Sequence, residues 1–335
     1  MSQKTYSIGS LYAADPESLM VMYLLQEGYC NAKCKHCYMH LQKQNPKSRD
    51  VKVARKDLES LVSQGYKVHL RGTEILLNQE YLSLFPLVEQ KYIQTNGKIL
   101  HDTPKLFEEL KKVGISKIML TYPTEPKDLM DFSKEMVDRV IQSGSKNSFR
   151  MVTDFVVTRN IIDLIRGDNN YFNRLCEQLM NVGASELRFV RLIPFSKELK
   201  EITPSAKETE EVVRESVKLE SLYKGRLDVT RAGQFGFYDL RRELKERYFG
   251  IKVPEPEESG IMDCPAGKKL FVIDLNNHIY PCLYLMGQNH RIGKLEDGRI
   301  ILKERLTPAK LHSKDCPAYV ENYNKYFSEK NVPTK

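Results

Sequence analysis

Cys30, Cys34 and Cys37 place three thiols within eight residues, with three and then two residues between them. So tight a group is rarely packing. Thiolates are soft donors suited to iron-sulfur clusters or to zinc, and three of them leave one position open on a metal that takes four ligands. An open position is where chemistry can occur. A structural zinc site with His36 or His40 as fourth ligand is the plainer alternative. Cys264, Cys282 and Cys316 lie towards the C-terminus and offer a second three-thiol site. Cys176 sits among Leu175 and Leu179 on a helical pattern and is expected in the core. An odd cysteine count in a long chain, mostly in clustered contexts, favours ligation over disulfides.

The apolar run 21–25 and the break at Gly28 put the first three thiols on a loop leaving the end of a first strand. A loop can curl its sulfurs towards one point more easily than a helix or strand can. Downstream, helical patterns at 56–64, 81–89, 104–113, 128–142 and 173–182 alternate with strands at 67–70, 92–94, 117–120, 150–157 and 186–192. The glycines at 65, 114, 144 and 183 read as helix stops. That alternation argues for an α/β fold with a parallel sheet of crossover units, and six units make a partial (β/α)6, TIM-like barrel. In such barrels the chemistry sits at the C-terminal strand ends. Those ends carry Arg71, Gly72, Thr73 and Glu74, then Thr95, Asn96 and Gly97, and finally Arg191. Arg188 and Arg191, three apart on one strand, fall on opposite faces; Arg191, nearer the end, is the better candidate to meet a carboxylate or the substrate, with a surface salt bridge as the plainer alternative.

The 335 residues allow one large core with a smaller satellite. The expected organisation is a barrel over 1–230, a bridging helix and Pro/Glu-rich linker over 231–258, and a small C-terminal domain over 259–335. In that last part, strands at 269–275 and 278–281 flank Asn276 and Asn277 as a two-residue hairpin turn. Hydrophobic residues make up 41% and charged residues 29%. No apolar run approaches the roughly 20 residues of a membrane span, and no signal-peptide pattern opens the chain, so a cytoplasmic location without a membrane partner is expected. The net charge of +8 is interleaved with Glu, as across 197–224, which describes a solvated surface and not a nucleic-acid face. A non-catalytic or RNA-directed iron-sulfur protein is the alternative from another class, and steep salt dependence of binding would mark it.

On these residues the chain resembles the radical S-adenosylmethionine superfamily. The resemblance implies that Cys30, Cys34 and Cys37 hold a four-iron four-sulfur cluster whose fourth iron is chelated by S-adenosyl-L-methionine. Reduction then cleaves the sulfonium, and a 5′-deoxyadenosyl radical takes a hydrogen atom from the substrate. His36 stands where the family commonly has an aromatic residue beside the adenine. The segment 70–77 resembles the family's Gly-Gly-Glu-Pro stretch, with Arg71 and Thr73 as departures, so Gly72, Thr73 and Glu74 are expected at the cofactor, Glu74 as acceptor for its ammonium. Asn96 and Arg191 enter through likenesses to the third and sixth strand ends.

The C-terminal part is similar to the SPASM and twitch extensions of that superfamily, on Cys264-Pro-Ala-Gly, the hairpin, Tyr280-Pro-Cys282 and Ile292-Gly293, with Asn277 at the usual turn glycine. Ser313 stands where a further Cys pair would begin. The twitch form implies one auxiliary four-iron four-sulfur cluster on Cys264, Cys282 and Cys316, its last position open to substrate or capped by His312, Asp315 or Tyr319. The resemblance also implies an external one-electron reductant of flavodoxin or ferredoxin type. The substrate it favours is a peptide or protein side chain that is oxidised, crosslinked or epimerised, with a small metabolite as the alternative.

Overall fold

Strands lined with apolar residues on both faces must lie between two layers, and the stretch Arg150–Val157 is buried at every position after Arg150. The computed structural model describes residues 19–37, 46–194, 196–232, 270–286 and 290–303, with short stretches at 6–7 and 247–248. Its main strands are β1 (Met20–Leu24), β2 (Lys67–Arg71), β3 (Tyr92–Thr95), β4 (Lys117–Tyr122), β5 (Arg150–Val157), β6 (Glu186–Arg191) and β7 (Asp228–Arg231). β8 (Leu270–Ile273), β9 (His278–Tyr280), β10 (Gly293–Glu296) and β11 (Arg299–Leu302) follow. The helices are α1 (Val51–Ser63), α2 (Lys98–Asp102), α3 (Leu106–Lys112), α4 (Lys134–Lys146), α5 (Arg159–Gly167), α6 (Tyr171–Asn181), α7 (Lys197–Ile202) and α8 (Ala206–Leu222).

β3 to β7 form one parallel sheet in chain order, and β1 pairs parallel with β2. The barrel is open between β2 and β3, where a side chain stands in for the backbone ladder. The amide of Gln90 accepts from Leu70 N at 2.5 Å and donates to Tyr92 O at 2.7 Å. The core between strands and helices is apolar, with Phe155, Phe172 and Phe189 meeting edge to face at centroid distances of 5.1 to 6.2 Å. Cys176 is fully buried in it.

Several boundaries differ from the sequence expectation. α1 starts at Val51, not at 56, because Asp50 caps it, its Oδ1 accepting from Lys52 N at 2.8 Å and Val53 N at 3.0 Å. The segment 104–113 is part of a helix pair, α2 and α3, and 79–87 is a 3-10 helix. α4 runs through Gly144 to Lys146. A Cβ at Gly144 would sit 2.3 Å from Met151 Sδ, so that glycine allows close helix–strand approach and does not stop the helix. The hairpin turn is wider than two residues: Asp274 Oδ1 accepts from Asn276 N and His278 N, both at 2.8 Å, and Asn277 adopts a φ of 62°.

The C-terminal hairpin does not stand apart from the barrel sheet. β8 pairs parallel with β1, Leu270 opposite Met20 and Ile273 opposite Tyr23. β9, β10 and β11 add antiparallel strands, and Tyr6–Ser7 closes the far edge. Arg49 secures this junction. It is stacked 4.4 Å over the Tyr23 ring, donates to Leu24 O at 3.2 Å, and reaches Asn277 Oδ1 at 2.6 Å. Most of the expected bridging segment 231–258, and the stretches 259–269 and 304–335, lie outside the described residues. No described helix is long and apolar enough to cross a membrane.

Candidate functional site

The C-terminal ends of the barrel strands surround a cavity of about 450 Å³, and Cys30, Cys34 and Cys37 all line it. The loop carrying them leaves the short strand Gln26–Glu27 at Gly28, whose φ of 73° turns the chain back over the strand ends. Four neighbours then hold the loop. Thr73 Oγ1 donates to Tyr29 O, Lys98 Nζ donates to Asn31 O at 2.9 Å, and Lys35 N donates to Leu129 O at 2.9 Å. Asn96 Nδ2 donates to Asn31 Oδ1 at 2.8 Å and to Cys30 Sγ at 3.5 Å, while its Oδ1 caps Lys98 N.

Burial raises the Cys30 thiol above its ordinary value and pushes Cys34 up to about 12. Without a cation beside them these sulfurs stay protonated; a bound metal would make them thiolates. Ala32 N and Asn96 Nδ2 both point at Cys30 Sγ, at 3.4 and 3.5 Å, which is the N–H donation a sulfur ligand of an iron-sulfur cluster receives. Among the described residues no three His, Cys, Asp or Glu side chains converge on one point as a single ion requires. The three thiols line one cavity.

The other expected residues divide. His36 lines the cavity with Nδ1 3.5 Å from Leu129 O, and burial lowers its pKa, so the ring is neutral near pH 7. Gly72, Thr73 and Asn96 also line it. Gly72 has no room for a side chain, since a Cβ would sit 2.8 Å from Gln26 Cγ.

Glu74, expected to meet an ammonium group, is fully buried, and its carboxylate accepts from Thr95 Oγ1 at 2.8 and 2.9 Å, Asn96 N at 2.9 Å and Leu76 N at 3.4 Å. Burial outweighs those bonds and pushes its pKa up to about 7. Its place is beneath the site, clamping the end of β3.

The sequence favoured Arg191 over Arg188, and their burial does alternate along β6. Arg191, 3% exposed, borders the cavity. Arg188 lines the same cavity, and its Nε and Nη2 grip Asp154 at 2.7 Å each. Asp154, Gln94 and the side chain of Arg71 also line the cavity and were missed. The signal for them was the inward register of the strands, where polar residues occupy positions that a closed barrel fills with apolar ones.

Of the second cysteine group, Cys264 and Cys316 lie outside the described residues, as do His312, Asp315 and Tyr319. Cys282 is buried two residues after β9, where it precedes a short 3-10 helix over 283–285. The next residues, Leu283 and Tyr284, reach the first cavity, and Leu283 and Cys37 pack on the same cluster of Leu24, Val272 and Tyr280.

No protein-family model matches the chain, and no curated protein matches it in sequence. Among solved structures, Streptococcus suis SuiB bound to S-adenosylmethionine matches with a TM-score of 0.61 and 15% identity, covering 81% of this chain. SuiB bound to the precursor peptide SuiA matches at 0.60, with 15% identity over 82% of this chain and 62% of SuiB. The structure of anSMEcpe with bound AdoMet and the Cp18Cys peptide gives 0.59 at 15% identity, over 94% of this chain and 86% of that one. The chain thus spans about 62% of the length of SuiB. Identity this low shows a shared fold.

Proposed function

We propose that this chain, which has the partial (β/α)6 barrel fold of the radical S-adenosylmethionine enzymes, is itself such an enzyme. The observation that carries the reading is the meeting of Cys30, Cys34 and Cys37 with His36, Gly72, Thr73 and Asn96 on one cavity at the C-terminal strand ends. When bound there, a four-iron four-sulfur cluster with S-adenosylmethionine supplies reductive cleavage of the sulfonium and hydrogen-atom abstraction. The three cysteines would hold the cluster, with Asn96 and Ala32 N–H groups on Cys30. His36, kept neutral by burial, offers a flat ring for an adenine. The Gly72–Thr73 backbone borders the same space, and Glu74 fixes that backbone against β3.

The substrate we favour is a peptide or protein side chain. Its support is that SuiB and anSMEcpe, which share the fold, have structures holding peptides. A small metabolite is the second reading. Cys264, Cys282 and Cys316 would hold an auxiliary cluster; the reading is favoured by Cys282 ending a hairpin that joins the barrel sheet beside the cavity. Electrons would come from an external one-electron reductant. Lys33 and Lys35, exposed on the cysteine loop, suit an acidic partner.

The test is anaerobic reconstitution with iron and sulfide, then dithionite and S-adenosylmethionine. The expected products are 5′-deoxyadenosine and methionine. If neither appears while the cluster is intact, the reading fails. Replacing Cys30, Cys34 and Cys37 by Ala should leave roughly four irons per chain under the two-cluster assignment; no residual iron removes the auxiliary cluster.

A further inference from the structure

Among the described residues, Arg150, Arg188 and Arg231 each meet a carboxylate, whereas Arg71 meets none. At the bottom of the lumen Arg150 Nη2 meets Glu186 at 2.9 Å and Asp228 at 2.6 Å. Arg188 grips Asp154, and Arg231, at the end of β7, meets Glu220 of α8. Arg71 has no carboxylate within salt-bridge distance among the described residues. Its Nη1 donates to Gln94 Oε1 at 3.0 Å and its Nη2 to the Tyr92 hydroxyl at 2.8 Å, both neutral acceptors. The Tyr92 hydroxyl in turn lies 2.9 Å from His69 Nδ1. His69 is itself uncharged, because burial and the nearby Arg71 and Lys117 hold it at about 4.

The third donor is more telling. Arg71 Nε is buried and has no hydrogen-bond partner, a state that costs free energy unless something else completes it. The Arg71 side chain lines the same cavity as the three cysteines. Three guanidinium groups, Arg71, Arg188 and Arg191, border that cavity against the one carboxylate of Asp154, which Arg188 already occupies with both prongs. Arg71 is also where this chain departs from the Gly-Gly-Glu-Pro stretch its sequence resembles. His69 and Arg71 are half-buried and alternate with fully buried Val68 and Leu70, so both side chains face the lumen.

We infer that Arg71 reads the substrate, and that the group it reads is a carboxylate, so the substrate is acidic close to the reacting position. The inference rests on the proposed function for the identity of the cavity. Gln94 and Tyr92 hold the guanidinium in place, its carbon 5.2 Å from the Tyr92 ring centre, and leave its remaining N–H donors for an incoming anion. A carboxylate could come from two sources, the substrate or S-adenosylmethionine itself, and the experiment separates them.

The cluster-loaded protein is titrated calorimetrically, without dithionite, with N-acetyl-glutamate methylamide and with its glutamine counterpart. Wild type is expected to prefer the acid by about tenfold, and Arg71→Gln to lose that preference while iron content and S-adenosylmethionine affinity stay within about twofold. Equal affinities in wild type, or no binding of the acid, overturn the inference without any variant being needed. It is also overturned if R71Q keeps the preference, or if R71Q weakens S-adenosylmethionine but not decarboxylated S-adenosylmethionine, which would assign Arg71 to the cofactor's carboxylate. Since binding is read without reduction, a failure to cleave S-adenosylmethionine would sink the proposed function and leave this result standing.

Discussion

Arg49 Nη2 donates to the main-chain oxygen of Asp274 at 2.5 Å, joining the segment before α1 to a turn 225 residues later. The same guanidinium lies 3.4 Å from Asp57, with side-chain exposures of 5% and 12%, and Tyr23 donates to that carboxylate at 2.6 Å. One side chain thus holds the C-terminal hairpin against the first barrel strand. Arg49→Met leaves Asp57 buried without its counter-charge and the Asp274 carbonyl without its donor. A loss of about 3 kcal/mol in unfolding free energy is expected, read by urea denaturation. A change under about 0.5 kcal/mol would show that the junction is held by β8–β1 pairing alone.

Glu74 sets a pH dependence. An acid whose folded pKa lies above its unfolded value keeps extra protons in the folded state, so stability falls as pH rises between the two values. For Glu74 that window runs from 4.5 to about 7. Each unit corresponds to about 1.4 kcal/mol, so the carboxylate costs the protein on the order of 3 kcal/mol by neutral pH. Glu74→Gln should flatten the fall in melting temperature between about pH 5 and pH 7. Parallel curves for wild type and variant would show that Glu74 is ionised throughout.

Asp154 and Arg188 are expected to behave as a unit. Asp154→Asn leaves a half-buried guanidinium unpaired and should cost about 3 kcal/mol. The double variant with Arg188→Met should be more stable than the sum of the single losses predicts, by about 2 kcal/mol in a double-mutant cycle of chemical denaturation. Additive losses would mean that the pair is decoupled by solvent.

Asn96 ties the cysteine loop to the end of β3 through Asn31 and Cys30. Asn96→Ala removes both bonds and the Lys98 cap while leaving every thiol in place. Iron retained after gel filtration should drop, and the midpoint for chelator removal of iron should shift about tenfold, in line with the loss of one or two hydrogen bonds. Unchanged iron retention would place the control of the loop in Thr73 and Lys98.

Local signals carried much of this protein. The three-thiol loop, the strand and helix alternation and the glycine turns follow from spacing, because coordination number, crossover length and left-handed backbone are properties of a few adjacent residues. Helix starts were less legible: Asp50 as a cap is a single-residue cue that a polar stretch conceals. The direction of side chains at the strand ends was hidden altogether. Glu74 stands in a motif-like segment, yet its carboxylate turns inward because Thr95 and the Asn96 amide wait there, and only the apposition of β2 and β3 ends supplies them.

Tertiary structure alone also decided that Arg188 holds Asp154, that Arg71 meets no carboxylate among the described residues, and that the C-terminal hairpin continues the barrel sheet through β8. Each depends on which residues from distant strands face each other across the lumen or along a shared edge. The sequence by itself determined which groups could do chemistry and on which loop they sit. Packing and pairing between strands tens to hundreds of residues apart determined which charges are paired within the fold and which side chains face the cavity.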